Sequence, residues 1–269
     1  MDNYRLSEIY IYPVKSLGGI SVSSAEVTDR GLKHDRRWML VDKNNKFFTQ
    51  RLIKKMSLLQ TKIGDDALII FNKNKPSERI EIPFKPESAE LTKAVVWDDT
   101  VDVLTYKKEI NDWFSEQLKF NCKLVYMPDE TERKVDTNYA KNNEANSFAD
   151  GFPFLIIGQE SLNLLNSKLE IPLPMNRFRP NFVFTGGKPH DEDTWKKFKI
   201  NDIIFKPVKP CARCVITTVN QDTAEQGVEP LKTLSTYRRT DNNKVIFGMN
   251  LIHEGRGIVR VGELLGILG

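Results

Sequence analysis

The sequence predicts a mixed, β-rich (α+β) fold built from barrels or sandwiches of short strands with few helices. Short runs of β-branched and aromatic residues recur along the first half and are separated by turn-forming residues, a pattern typical of such sheets. In that half only residues 109–118 have the spacing of an amphipathic helix, with Ile110, Phe114 and Leu118 on one face. A chain of 269 residues, 40% of them apolar, can form one large domain or two smaller ones.

The strands of the first half are predicted at residues 6–14, 20–28, 38–41, 46–50, 58–63, 67–71, 79–82, 94–97 and 122–126. Val, Ile, Thr and aromatic side chains dominate these runs, and they suit a pleated, packed surface. Asn44 and Asn45 indicate a hairpin turn, whereas Gly18 and Gly19 break the first strand and let the backbone approach a ligand closely. The polar residues 128–146 are predicted to form a long surface loop or domain connection.

The second half is predicted to begin near residue 148 with a turn and a buried strand. Leu162, Leu165 and Leu169 recur at helical spacing and predict a helix over residues 159–169. Pro230 suits the first turn of another short helix, over residues 229–238. The remaining strands are predicted at residues 182–185, 245–252 and 257–261.

Charge and cysteine content restrict the class of partner. A net charge of +4 fits a site for a small anion but is too weak to indicate DNA binding or a membrane surface. Three cysteines, one of them distant from the other two, do not make a disulfide framework. The chain shows neither a signal peptide nor an apolar run of the ~20 residues that a membrane span needs. We therefore expect a cytoplasmic protein with no nucleic-acid or membrane partner.

The stretch over residues 206–219 has the strongest chemical character. Pro207 and Pro210 predict a turn or an extended entry, and the β-branched residues after Cys214 predict a strand over residues 214–219. Cys214 would then lie where a loop enters a strand. Arg213 is adjacent, and nearby cations lower the pKa of a thiol and favour the thiolate that binds metals or attacks electrophiles. The alternative is a buried structural cysteine, which is common in proteins.

Other site patterns are incomplete or missing. A structural zinc site needs two pairs of ligands, and the sequence offers one Cys-x-x-Cys pair. Phosphate-binding glycine motifs and a serine nucleophile elbow are absent from the sequence. Several separate loops carry Arg, Lys, Ser or Gly, which suit phosphate. Each loop alone is better explained by solvated charge, and spacing cannot show that the loops converge. These loops contain Lys15, Ser16, Arg36, residues 150–152, residues 179–181 and Arg213.

Five motifs, in this order, resemble those of one known family. They are Tyr-Pro-Val-Lys-Ser at residues 12–16, Asp-Arg-x-Trp at 35–38, Phe-Ala-Asp-Gly-Phe-Pro-Phe at 148–154, Arg-Phe-Arg-Pro-Asn at 177–181 and Pro-Cys-Ala-Arg-Cys-Val-Ile-Thr-Thr-Val at 210–219. The chain resembles proteins that join a molybdenum-cofactor-sulfurase C-terminal (MOSC) domain to its N-terminal β-barrel domain, such as the mitochondrial amidoxime reducing component. This resemblance implies an N-terminal β-barrel-like domain at residues 1–127 and a MOSC β-barrel domain with peripheral helices at residues 128–269.

The resemblance also implies a molybdenum cofactor, Mo-molybdopterin, whose metal is held by Cys214, the catalytic residue. Cys211 is implied to be structural. Gly151 and Phe152 depart from the mitochondrial pattern, so backbone amides are expected to replace side-chain contacts there. A family-level association with pyridoxal phosphate is implied as well. The implied cofactor-binding residues are Lys15, Ser16, Arg36, Gly151, Phe152, Arg179, Asn181, Ala212, Arg213 and Cys214.

The implied reaction is the reduction of N-hydroxylated compounds, such as amidoximes, hydroxylamines and N-hydroxylated bases, to amines. The sequence lacks the four cysteines of an iron–sulfur cluster, so electrons are expected from a separate ferredoxin, flavoprotein reductase or cytochrome. The alternative is a non-catalytic carrier that holds molybdenum cofactor, or sulfur, on Cys214.

Overall fold

Strands dominate the fold, which confirms the β-rich prediction. The computed structural model describes residues 3–86, 90–142 and 144–269. The strands are β1 (Arg5–Ile11), β2 (Ile20–Val22), β3 (Ser24–Thr28), β4 (Gly31–Leu32), β5 (Trp38–Val41), β6 (Leu59–Ile63), β7 (Ala67–Asn72), β8 (Lys75–Pro83), β9 (Leu91–Val96), β10 (Asp99–Thr105), β11 (Lys123–Tyr126), β12 (Phe154–Gly158), β13 (Phe182–Thr185), β14 (Phe198–Ile200), β15 (Ile203–Ala212), β16 (Ile246–Glu254), β17 (Gly257–Arg260) and β18 (Gly266–Ile267).

Helices are short and lie among the strands. In the described residues the α-helices are α1 (Lys108–Leu118), α2 (Gln159–Asn166) and α3 (Leu231–Leu234). The 3-10 helices are Lys54–Leu58, Met175–Arg177, Asp191–Asp193 and Val215–Thr218. None of the helices in the described ranges is long and apolar enough to cross a bilayer.

The largest sheet has eight strands in the order β18-β14-β15-β16-β12-β13-β1-β2, antiparallel except for the parallel pair β12 and β13. Its last two strands come from the start of the chain: Ile9 of β1 lies opposite Phe182 of β13. In the same way β3 pairs with β17. Strands from both sides of residue 127 therefore share sheets, while the predicted domain division remains a prediction. This pairing brings the loop after β1 to the second half of the chain.

Two further sheets and helix α1 form the rest of the first half. The strand orders are β5-β11-β10-β9 and β6-β7-β8. Ile110, Phe114 and Leu118, the predicted apolar face of α1, are buried in a core that also contains Trp38 and Leu124. Burial of each such side chain contributes about 1.5–3 kcal/mol before the loss of conformational entropy is counted. This core holds the two sheets and α1 together.

An aromatic core underlies the eight-stranded sheet. The Phe154 ring stacks on Phe182 at a centroid distance of 5.3 Å and meets Phe205 edge-on at 5.4 Å. All three side chains are fully buried. Offset and edge-on ring pairs add about 0.5–1.5 kcal/mol to the gain from burial. The strands that carry the site loops are thus anchored in a rigid core.

The strand predicted at residues 214–219 is wrong. Val215–Thr218 is a 3-10 helix that begins after Cys214. The Thr217 and Thr218 hydroxyls donate to the carbonyl oxygens of Cys214 and Val215, at 2.9 and 2.8 Å, and Arg177 Nε donates to the Thr217 carbonyl at 2.8 Å. These contacts outweigh the strand preference of β-branched residues, which depends strongly on context.

Other boundaries also differ from the predictions. The proline-rich entry is extended and belongs to β15, with irregular pairing around residues 207–209 and 210–212, where the missing proline N–H groups are tolerated. Residues 46–50 form isolated bridges at Lys46 and Phe47 instead of a strand, because residue 47 pairs with β5 and residue 46 with β9. The helix predicted at residues 229–238 is only one turn, α3. Strand β10 was not predicted, and its Val101 and Val103 side chains are buried on either side of an exposed aspartate.

Candidate functional site

All ten predicted site residues line one cavity of about 170 Å³ between the two halves of the chain. The first half supplies the loop after β1 and the turn before β5. The second half supplies the loop before β12, the loop before β13 and the end of β15. We call this the inner cavity. Its lining contains Lys15, Ser16, Arg36, Arg51, Ala149, Asp150, Gly151, Phe152, Phe154, Leu155, Phe178, Arg179, Asn181, Cys211, Ala212, Arg213, Cys214, Ile216, Thr217 and Asn250.

Lys15 is buried at the base of this cavity, with 4% of its side chain exposed. Its Nζ donates to the Phe148 carbonyl at 2.7 Å and to the carboxylate of Asp150. Burial lowers the pKa of Lys15 to about 8, although the carboxylate of Asp150 opposes that change. Burial alone would raise the pKa of Asp150, but Lys15 outweighs it and holds that pKa well below its usual range. The pair is therefore charged at neutral pH.

Two arginines stack on the buried ring of Tyr12. The guanidinium carbons of Arg36 and Arg179 lie 4.4 and 4.2 Å from the ring centroid. Arg36 Nη1 donates to Asp35 at 2.6 Å and to the Asn181 side-chain oxygen at 3.1 Å. Burial lowers the pKa of Arg179 to about 10, which leaves it protonated at neutral pH. The stacked geometry fixes two positive charges beside the cavity.

Three residues of this site have a strained backbone. Ser16, Arg36 and Arg179 have φ values of 68°, 49° and 56°, in the left-handed region that side chains other than glycine rarely adopt. Each such residue costs on the order of 1 kcal/mol or more, and such residues cluster at functional sites. Tertiary hydrogen bonds hold them, among them the one from Arg179 Nη1 to the Leu17 carbonyl at 2.7 Å.

Cys214 is a free, partly exposed thiol within reach of a cation. The Nε–H of Arg51 points to its sulfur at a distance of 3.4 Å. Arg213 donates to the sulfur of Cys211 at 2.8 Å and to the Phe178 carbonyl at 2.6 Å. The Nε of Arg213 is buried and has no hydrogen-bond partner in the described part of the chain, so this donor is available to a ligand.

Sequence comparison identifies the family. The MOSC N-terminal beta barrel domain family matches residues 3–121, and the MOSC domain family matches residues 143–265. Mitochondrial amidoxime-reducing component 1 of mouse (Mus musculus) is 30% identical over 98% of this chain and 82% of that protein. The chain belongs to the MOSC family. Mitochondrial amidoxime reducing component 2 of rat (Rattus norvegicus) is 32% identical over 96% of the chain and 81% of that protein.

A second group of MOSC relatives is longer. The molybdenum cofactor sulfurase of rice (Oryza sativa subsp. japonica) is 31% identical over 94% of this chain. The chain spans only 33% of the length of that sulfurase. Both groups of relatives thus match nearly the whole chain, but about two thirds of the sulfurase sequence lies outside the matched region.

Arg51 is a site residue that the sequence analysis missed. It contacts the Cys214 sulfur, lies 3.7 Å from the Asp150 carboxylate and stacks on the Trp97 ring at 4.7 Å. In the sequence it is an ordinary charge beyond a predicted strand, and only the packing of the first half on the second brings it to Cys214. No local pattern could have indicated it.

Arg133 was also missed, within the segment predicted to be a surface loop. Its side chain is buried, and Nη1 donates to the carbonyl oxygens of Ser147 and Ala149 at 2.6 Å each. Its Nε donates to Asp99 at 2.8 Å. Arg133 therefore fixes the loop that carries Asp150 into the cavity, although it does not line the cavity itself.

The charges of the inner cavity suit an anionic ligand. Of its described lining residues five are cationic and one, Asp150, is acidic. A side-chain carbon at Gly151 would meet no atom within 4 Å, so its backbone borders open space. Arginine forks and open backbone amides are the groups that bind phosphate. The thiol of Cys214 beside these groups can hold one metal ion of an anionic cofactor.

Proposed function

We propose that this chain is a molybdenum-cofactor-dependent oxidoreductase that reduces N-hydroxylated compounds, including amidoximes, hydroxylamines and N-hydroxylated bases, to amines. The observation that carries the proposal is the meeting of Cys214 with cationic residues from four separate loops in one cavity. The amidoxime-reducing components, which match nearly the whole chain at about 30% identity, support it. The proposed electron donor is a separate ferredoxin, flavoprotein reductase or cytochrome.

The residues of the cavity fit Mo-molybdopterin in charge and in donor groups. Cys214 would hold the metal, and Lys15, Arg179 and Arg213 would neutralise the phosphate and donate hydrogen bonds to the pterin. The unpaired, buried Nε–H of Arg213 supports this assignment, because a native protein rarely leaves such a donor without a partner. When bound, the cofactor would supply the redox chemistry. The protein would supply the ligand, the orientation and the positive field.

The residues around the metal ligand have distinct proposed tasks. Arg51 Nε would donate to the Cys214 sulfur and orient it towards the metal. Lys15, with a pKa of about 8, would hold a proton at Nζ near neutral pH, beside the Asp150 carboxylate. Ser16, Arg36, Gly151, Phe152, Asn181 and Ala212 would shape the cradle.

The sulfurase relatives favour a second candidate, a non-catalytic carrier of molybdenum cofactor or sulfur on Cys214. The partly exposed thiol of Cys214 suits that role as well. Turnover separates the two candidates: a carrier would bind the cofactor and leave every N-hydroxylated compound unchanged. The cytoplasm is the proposed compartment, and neither candidate needs a nucleic-acid or membrane partner.

The decisive experiment compares Cys214→Ser with Cys122→Ser. Benzamidoxime reduction by cofactor-loaded protein, with a chemical electron donor, should fall at least about 100-fold in Cys214→Ser, because a direct metal ligand matters more than the outer partners that cost 10–100-fold. Molybdenum should be near one atom per parent chain. Cys122 is buried in the core of the first half, where burial raises its pKa to about 11, so Cys122→Ser should keep its activity. Unchanged activity in Cys214→Ser would reject the proposal.

A further inference from the structure

A second and larger cavity, of about 680 Å³, opens beside the inner cavity. We call it the outer cavity. The two share part of their lining, so a molecule in the outer cavity can reach the inner one. The shared residues are Asp150, Gly151, Phe152, Cys211, Ala212 and Asn250. None of the roles assigned so far uses the rest of its lining.

Three of the described residues that line the outer cavity are aromatic. Tyr139 and Phe152 form an edge-to-face pair with centroids 5.6 Å apart, and Trp97 lines the same cavity with 40% of its surface exposed. Aromatic side chains that line a cavity offer contact area at little entropic cost and suit another flat ring. The chemistry of this lining therefore favours a planar aromatic ligand.

Trp97 is held in a strained backbone conformation. It begins the two-residue turn between β9 and β10 and has a φ of 56°, where glycine is normally found. Its ring packs on Phe47 at 5.1 Å and on Arg51 at 4.7 Å, and its Nε1–H donates to Asp150 at 3.3 Å. A bulky side chain at such a position costs free energy, and strained residues cluster at functional sites. These contacts place the indole between the outer cavity and the residues around Cys214.

Lys209 gives the outer cavity a positive charge. Its Nζ lies 4.5 Å from the centroid of Tyr139 and 6.0 Å from that of Phe152. Among the described residues no carboxylate lies within ion-pairing distance of Lys209. The lining also contains Lys244 and two acids, Asp150 and Asp241. Asp150 is already paired with Lys15, and Asp241 forms no ion pair with Lys209. An anionic group on a ring bound here would therefore find an uncompensated ammonium beside it.

We propose that the outer cavity binds the non-reacting part of the substrate and selects a flat aromatic ring that carries a carboxylate or another anionic substituent. Trp97 positions the ring, and Lys209 sets the preference for negative charge. This inference rests on the proposed reductase function for its reacting end, but the cavity is built from protein side chains alone. Ring binding can thus be measured without turnover.

The binding test uses three unreactive amides: 4-carboxybenzamide, benzamide and acetamide. Calorimetry measures the affinity of the purified chain for each of them. We expect 4-carboxybenzamide to bind about 5- to 10-fold more tightly than benzamide, as one charge-assisted contact allows. Lys209→Met should abolish that preference and leave benzamide binding unchanged. Lys199→Met, which removes an exposed lysine of neighbouring strand β14, should keep it. Equal affinity for all three amides would overturn the inference.

Trp97→Gly tests the positioning role separately. Loss of the ring should raise KM for 4-carboxybenzamidoxime about 5- to 20-fold, the worth of one stacking contact, with kcat nearly unchanged. Its melting temperature should not fall by more than a few degrees, because glycine relieves the strain at φ 56°. A large loss of stability with unchanged KM would assign Trp97 a purely structural role.

The two proposals fail in different ways. If the carboxylated ring binds but no amidoxime is reduced, the reductase function is wrong and the outer-cavity site stands. If ring-bearing and aliphatic amidoximes are reduced alike, whatever their charge, the reductase function stands and the outer-cavity inference is wrong.

Discussion

Asp150→Asn should make Lys15 lose its proton near neutral pH. Lys15 is 4% exposed, and its pKa of about 8 already reflects a balance between burial, which lowers it, and Asp150, which raises it. Loss of an opposite charge within 4 Å changes a pKa by about 1–3, so we expect a pKa of roughly 6 in the variant. At pH 7.5 about three quarters of the Lys15 side chains are protonated in the parent, against fewer than about one in twenty in the variant.

The measurement is a carbon NMR titration of protein with lysine labelled at Cε. The Lys15 signal is assigned from its disappearance in Lys15→Gln. Asp129→Asn is the matched control, because Asp129 pairs with Arg37 away from the inner cavity and should leave the Lys15 midpoint near 8. A Lys15 midpoint in Asp150→Asn that stays at or above 8 would refute the reasoning about burial.

The same change should alter how stability depends on pH. In the unfolded chain Lys15 has a pKa near 10.5, so between pH 8 and 10.5 the folded parent binds fewer protons than the unfolded chain. Its contribution therefore raises the free energy of unfolding as pH rises over that interval. In Asp150→Asn the rise should begin near pH 6 and reach about 2–3 kcal/mol by pH 8, relative to the parent. Melting temperatures across pH 6–8 would show it.

Two further changes test the neighbours of the site and the core of the sheet. Arg51→Ala should weaken binding of the proposed molybdenum cofactor about 10-fold, because the Cys214 sulfur loses the donor at 3.4 Å that orients it. Metal analysis of the purified protein measures this, and an unchanged molybdenum content would mean that the contact does not position the sulfur. Burial raises the pKa of Glu192 from an ordinary 4.5 to about 7. The contribution of Glu192 to the free energy of unfolding therefore falls as pH rises from 4.5 to 7. Glu192→Gln keeps the acceptor for Ser161 Oγ and should unfold at a higher urea concentration than the parent at pH 8 but not at pH 4.5, and equal midpoints at pH 8 would contradict this.

Local patterns in the sequence predicted the elements whose stability is itself local. Strand β13 coincides with its prediction, and α1 begins one residue earlier than predicted, because both have a clear apolar period. The turn after Cys214 was wrongly predicted as a strand. Arg177 Nε, which donates a hydrogen bond to the Thr217 carbonyl in this turn, comes from a distant part of the chain, and local propensity does not include such a contact. Propensity describes the residue, whereas the observed conformation depends on its neighbours in space.

The candidate site was predictable only through the resemblance to a family. Composition and spacing left open whether Lys15, Arg36 and Arg179 meet, and the structure places all three beside Cys214. Their assignment to a cofactor remains a prediction. Arg51 lay outside the motifs used, since its role depends on the contact between the two halves of the chain. A sequence pattern cannot report a contact between residues 163 positions apart, such as that between Arg51 and Cys214.

The pairing of β1 with β13 has a consequence for biosynthesis. Arg5 lies opposite Thr185, so β1 cannot pair with β13 until most of the polypeptide has left the ribosome. Contacts between residues so far apart in sequence form late, because a long loop must first be closed. The side of the inner cavity that carries Lys15 is therefore completed late in translation, so an incomplete nascent chain lacks the site proposed for the cofactor.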